Sequence, residues 1–159
     1  MNCARWIVAV MAVAGSLVGP TMSAEDTGVA AVEAAWVKAI KANSLDQVMA
    51  LYADDAVGWF PDMSEASGAK AIRASYENLL STFTIKDASL TGTHSKNAGK
   101  LSLGWGKFTL TVVEKATGKE QVWNGRFTDV AERRRGRWLY IVDHASAEPL
   151  PPPAAAPTK

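Results

Sequence analysis

The sequence predicts an α+β domain, and a change of periodicity along the chain is what predicts it. Through Leu80 the apolar residues recur every three or four positions; from Phe83 onward they alternate with polar ones. A further observation is the pair Gly104 and Gly106 inside a strand pattern, because glycines within strands mark bulges or sharp curvature. The expected architecture is three N-terminal helices packed on a strongly curved antiparallel sheet.

In chain order, the N-terminus comes first. Arg5 is followed by an apolar run from Trp6 to Val18, then Gly19-Pro20 and the small residues Ser23 and Ala24. This is the pattern of a secretory signal peptide, expected to span residues 1–24. The run is short for a membrane span, which needs about 20 apolar residues. A retained N-terminal anchor is the alternative. The single cysteine, Cys3, precedes the apolar run and would leave with the signal, so no disulfide or thiol chemistry is expected of the mature chain. A periplasmic or secreted location follows, with no stable membrane anchor after cleavage. Without Arg5 the 17 basic residues become 16, matching the 16 acidic ones. Nucleic-acid binding normally requires a basic excess, so that class is excluded.

The domain itself is expected over residues 25–148. Gly28 to Asn43 sets Val29, Val32, Trp36 and Ile40 on one stripe of an amphipathic helix. Ser44 and Gln47 form a capping-box pattern for a second helix, which turns Leu45, Val48, Met49 and Tyr52 to one face. Asp54-Asp55 then reads as a turn and cap, and a short aromatic strand near Trp59 is closed by Pro61. Gly68 precedes a third helix with Ile72, Tyr76, Leu79 and Leu80 in register.

Strands follow over Thr84–Ser95, Leu101–Glu114, Gln121–Arg133 and Arg137–Ala147, with turns at Lys96–Lys100, Ala116–Lys119 and the arginine-rich run around Gly136. That run reads as a solvated hairpin turn. Residues 149–159, rich in Pro and Ala, cannot join a core and read as a disordered tail.

The stretch LYADDAVGWFPDMSEASGAKAIRASY, Leu51 to Tyr76, carries a helix end, a short aromatic strand closed by proline, a loop and a further helix. This order resembles the cone-shaped superfamily of nuclear transport factor 2, steroid delta-isomerase, SnoaL-like polyketide cyclases and the DUF4440 domains, a fold also called cystatin-like. The resemblance implies a curved sheet, three helices, and an apolar pocket between them.

Strand parity groups Asp129 with Phe127 and Ala131, and Asp143 with Leu139 and Ile141. The resemblance places both acids in the cone, where desolvation would raise their pKa. Two alternatives stay open: Asp129 could bond a neighbouring backbone or Arg126, and Asp143 could accept from a buried Trp or Tyr. Residue by residue, the resemblance to steroid delta-isomerase puts Phe60 at the general-base position, Trp36 in place of an oxyanion-hole tyrosine, Asp129 at the protonated-acid position, and Tyr52 and Tyr76 at the tyrosines of its hydrogen-bond network. Phe60 cannot take a proton, so isomerisation by that route is disfavoured, and Asp143 becomes the replacement base. The expected site is therefore Asp143 and Asp129 as catalytic groups, with Trp36, Tyr52, Phe60, Tyr76 and Phe127 against a small apolar or amphipathic ligand.

Neither metal nor cofactor is called for: His94 and His144 are the only histidines, and His144 has the opposite parity to Asp143. Of Trp36, Trp59, Trp105, Trp123 and Trp138, two are expected at a ligand and the rest in the core. On the outward parity, Val130, Tyr140, Val142 and His144 are expected to form a dimerisation or partner face, the rival reading to ligand capture.

Overall fold

A computed structural model describes residues 28–149. The expected signal at 1–24 and the tail from Leu150 onward lie outside the described residues. Three helices and six strands follow in the order α1 (Val29–Lys41), α2 (Leu45–Met49), β1 (Tyr52–Trp59), β2 (Ala66–Ser67), α3 (Ala69–Thr82), β3 (Phe83–Ala98), β4 (Leu101–Glu114), β5 (Glu120–Arg134) and β6 (Arg137–Ala147). One sheet runs β2-β1-β6-β5-β4-β3. It is antiparallel except where β1 lies parallel to β6. The expected all-antiparallel sheet is corrected there: β1 and β6 are far apart in sequence, and α3 with four strands intervenes to set their direction.

Helix α1 buries Val29, Val32 and Ile40 against the sheet. Its first turn is capped from afar, Ser102 Oγ on β4 accepting from the Val29 N–H at 2.8 Å. That bond satisfies one of the amides a helix start leaves unpaired. Gly28, at φ 83°, runs so close to Ser102 that a β carbon would not fit. At the other end Asn43 enters the left-handed region at φ 52°, and its amide pairs with both backbone groups of Ile85, at 2.8 and 2.9 Å. The side chain thus stands in as a short extra strand for β3. Ser44 Oγ accepts from the Gln47 N–H at 3.4 Å, one half of the expected capping box, while the Ser44 N–H donates to the Ala39 carbonyl at 3.1 Å instead of to Gln47.

Other expectations change. Helix α2 ends at Met49, so Tyr52 opens β1 instead of closing a helix. Asp54 and Asp55 lie within that strand, not in a turn, and Asp55 pairs with Arg134 across the sheet. Arg134 therefore closes β5 as a bound group, and the turn beyond it is Arg135-Gly136, both at positive φ. This is the two-residue hairpin geometry that matches strand twist.

The bulge expected at Gly104 and Gly106 sits elsewhere. Pairing of β4 with β5 runs unbroken through both glycines, whereas the β3 register shifts between Thr91 and His94, around Gly92 at φ 57°. A second bulge lies on β6, where Val142 pairs with Val130 but Tyr140 pairs with Ala131. Ile141 is the extra residue, and it reverses the parity of everything before it. Tyr140 consequently turns inward and is 2 % exposed. Its assignment to the outer face is overturned, as is the expectation that Leu139 and Ile141 share Asp143's side in simple alternation.

Candidate functional site

The space between the helices and the inner face of the sheet is a cavity of about 570 Å³. Its walls are mostly apolar, with Leu79, Phe83, Leu90, Phe108, Leu110 and Trp123 around the wider part. Of the residues expected at a ligand, Trp36, Phe60, Tyr76, Phe127, Asp129 and Asp143 line it. Tyr52 does not. Because it begins β1, its ring lies behind the wall, 5 % exposed, and reaches the site only through its hydroxyl. Among the tryptophans, Trp36 and Trp123 line the cavity, while Trp59 meets His144 edge to face and Trp105 stacks on His94.

One row across the sheet builds the polar end of the cavity. Gly104 on β4 faces Asp129 on β5, Asp129 faces Asp143 on β6, and Asp143 faces Gly58 on β1. The two acids are thus cross-strand neighbours, and a glycine ends the row on each side. Each glycine makes room for a side chain from another element. A β carbon on Gly58 would lie 2.8 Å from the Phe60 ring, and one on Gly104 would overlap the carboxyl of Glu33 from α1. Phe60 folds back over the row and meets Tyr76 edge to face, with ring centroids 5.6 Å apart. This is why the strand end near Pro61 offers an aromatic wall and no base.

A chain of donors converges on Asp143. Trp36 Nε1 donates to the Tyr76 hydroxyl at 2.8 Å, and the Tyr76 and Tyr52 hydroxyls are 2.8 Å apart. Tyr52 donates to Asp143 Oδ2. Each hydroxyl has one hydrogen. With Tyr52's committed to Asp143, the bond between the tyrosines must run from Tyr76 to Tyr52, and every proton in the chain points toward Asp143. The alternative that Asp143 accepts from a buried tyrosine is therefore realised together with its exposure to the cavity. Asp129 does not bond Arg126, which faces outward.

Burial raises the pKa of both acids, and other groups separate them. Asp143 is pushed up by burial but drawn back by hydrogen bonds from Tyr52 and from Asp129. Asp129 is held well above the carboxylate range by burial first, then by the negative charges of Asp143 and Glu33. The lower-affinity proton site is Asp143. The pair is thus a weaker and a firmer holder of a proton side by side, the arrangement in which one group accepts a proton while its neighbour donates one.

Two residues of this end escaped the sequence reading. Tyr140 was hidden by the Ile141 bulge, for which the sequence carries no signal. Glu33 was legible: it lies four residues after Val29 and three before Trp36, on the apolar stripe of α1. A charged residue on that stripe is the anomaly worth marking. Among the described residues no cluster of three or more His, Cys, Asp or Glu could hold a metal ion.

A curved sheet covered by three helices around a pocket defines a cone-shaped α+β domain of the nuclear transport factor 2-like kind. The particular family follows from the sequence: the SnoaL-like domain profile matches residues 34–141, and the chain belongs to that family. Similar solved structures include a putative calcium/calmodulin-dependent protein kinase II association domain from Xanthomonas campestris. It is 27% identical with a TM-score of 0.68, over 76% of this chain and 86% of that one. A ketosteroid isomerase-like protein from Erwinia carotovora atroseptica is 19% identical with a TM-score of 0.67, over 79% of this chain and 98% of its own. A nuclear transport factor 2-like superfamily protein from Salmonella enterica serovar Typhimurium is 14% identical with a TM-score of 0.70, over 82% and 94%. Comparison with curated proteins yields no match.

Proposed function

We propose that this is an exported domain that captures a small, mostly apolar molecule in the cone and moves a proton on it. Asp143 is the base and Asp129 the acid. The observation that carries the reading is the cross-strand pairing of these two carboxyls in the wall of an apolar cavity, with the Trp36–Tyr76–Tyr52 chain delivering its last hydrogen to Asp143 alone. In such a site Asp143 takes a proton from a carbon beside a carbonyl. Asp129 hydrogen-bonds the oxygen on which negative charge develops, and Asp143 then returns its proton at another position. Isomerisation, dehydration through loss of a neighbouring hydroxyl, and aldol-type cyclisation all fit this exchange.

The test is Asp143→Asn, read by titrating 2-naphthol while following tryptophan fluorescence, beside thermal melts of the same protein. The asparagine oxygen can still accept from Tyr52, so the fold should persist while affinity changes by at least about tenfold. An unchanged affinity with a lowered melting temperature would make Asp143 structural and sink the reading. Export rests on the N-terminal pattern; intact-mass analysis of secreted protein should give a chain starting near Glu25.

A second reading has its own observation. On the outer face Leu103, Val130, Val142 and Val57 are register neighbours across four strands, forming an apolar row. Such a row suits self-association through the sheet, and a likeness to a putative association domain accords with it. Light scattering at tens of micromolar should give a dimer mass, and Val130→Lys a monomer.

A further inference from the structure

Resting on the assignment of Asp129 as the acid, we infer that Glu33 is a third carboxyl of this site, touching no ligand and acting through Asp129 to hold it in its proton-donating form. Glu33 does not line the cavity. Its carboxyl occupies the space above Gly104, which is where the cross-strand neighbour of Asp129 would have been. The result is a row of three carboxyls: Glu33 behind, Asp129 in the middle, Asp143 in front. Neighbouring strands are about 4.8 Å apart, so the end members are about twice as far from each other as from Asp129.

The basic group that acts on this row is His144, at the Asp143 end, where it draws the Asp143 pKa down. Facing Glu33 are Asp129 from β5 and Tyr140 from β6. The nearby polar groups of β3 and β4, Asn97 and Ser102, cannot titrate, and they bond each other and the start of α1. Among the described residues, Glu33 Oε1 and Asp129 Oδ1 are both buried without a hydrogen-bond partner.

In a row of three like charges, neutralising the middle one removes both close repulsions, whereas neutralising an end leaves one. Asp129 is therefore the member that keeps its proton when the outer two ionise. Burial pushes Glu33 up to about 7, so its charge appears near neutrality, where an ordinary carboxyl has already lost its proton, and tightens Asp129's hold on its own. Glu33 is in this sense a positioning residue, fixing a protonation state and not a geometry.

Carboxyl-carbon NMR titrations of the full chain and of Glu33→Gln test this. In the unaltered protein the Asp129 signal should shift slightly as Glu33 ionises, and Asp129 should lose its own proton only after Glu33 has done so. In Glu33→Gln that inflection should vanish, and the proton affinity of Asp129 should fall by at least about tenfold. The alkaline limit of 2-naphthol binding should move down with it. Identical Asp129 titrations in the two proteins would overturn the inference. If Glu33→Gln fails to fold, an Asp129 signal blind to Glu33 ionisation in the unaltered protein would overturn it equally. Failure of the Asp143→Asn binding test would remove the proposed function and leave these titrations as they are, so the two ideas fall separately.

Discussion

Two sets of acidic residues in this domain show how far environment outweighs residue type. On the surface Asp55, Asp87 and Glu148 each face a cation, Arg134, Lys41 and Lys107, and each is held below its usual pKa, chiefly by those hydrogen bonds. Inside the cone Glu33, Asp129 and Asp143 meet one another, tyrosines and hydrocarbon, and all three are raised, chiefly by burial. The surface acids have partners and solvent to spare. The inner ones have lost solvent with no salt bridge among the described residues to offset it, a cost that a purely structural core would avoid by using apolar residues.

The sharpest way to expose this contrast is pH. In the unfolded chain the inner carboxyls ionise at ordinary carboxylate values, while in the folded protein Glu33 keeps its proton to about pH 7 and Asp129 is likewise raised, chiefly by burial. The native state therefore binds more protons across that interval, so stability falls as pH rises through it and levels off above the folded pKa. Between about pH 5 and pH 8 Glu33 alone should lower the unfolding free energy by on the order of 3 kcal/mol, read from urea melts at each pH. The surface acids act in the opposite sense and at lower pH, where acid removes the charge that their partners hold. A stability that rose from pH 5 to 8 would mean that the inner carboxyls are solvated.

A smaller effect should follow from Tyr52→Phe, which deletes the hydroxyl between Tyr76 and Asp143. Leaving buried polar groups without that partner should cost about 1–3 kcal/mol in chemical denaturation. It should also raise the Asp143 pKa further, because a bond that favours its charged form is gone. Glu33→Met runs the other way. Replacing an unpartnered buried carboxyl with a thioether of similar length should stabilise the fold by about 1 kcal/mol at pH 8, measured in the same melts. It should flatten part of the pH dependence as well. The smallest change is expected of Arg134→Ala: the exposed pair with Asp55 should contribute so little that melts at moderate salt barely resolve its loss.

Periodicity alone located the helices and long strands to within a few residues. The reason is that α1, α3 and β3 to β6 are long and one-sided, and a one-sided element must place its apolar face on the core. Short elements were less legible. Tyr52 and Asp54-Asp55 were read with helix and turn because five residues of α2 carry too little periodicity to mark their own end.

Within the site, Asp129 kept the side its parity gave it because β5 pairs with β4 without a break. Tyr140 did not, because one extra residue, Ile141, shifts the β6 register and turns the ring inward. No side-chain preference encodes that bulge; the pairing of β6 with both β5 and β1 selects it. Likewise the sequence determined that Gly104, Gly58, Glu33 and Phe60 exist at their positions. Only the tertiary structure, by laying β4, β5, β6 and β1 side by side, put the two glycines at the ends of one carboxyl row and let a distant helix and a strand end fill them. Cross-strand register is a property of paired backbones, and no single strand contains it.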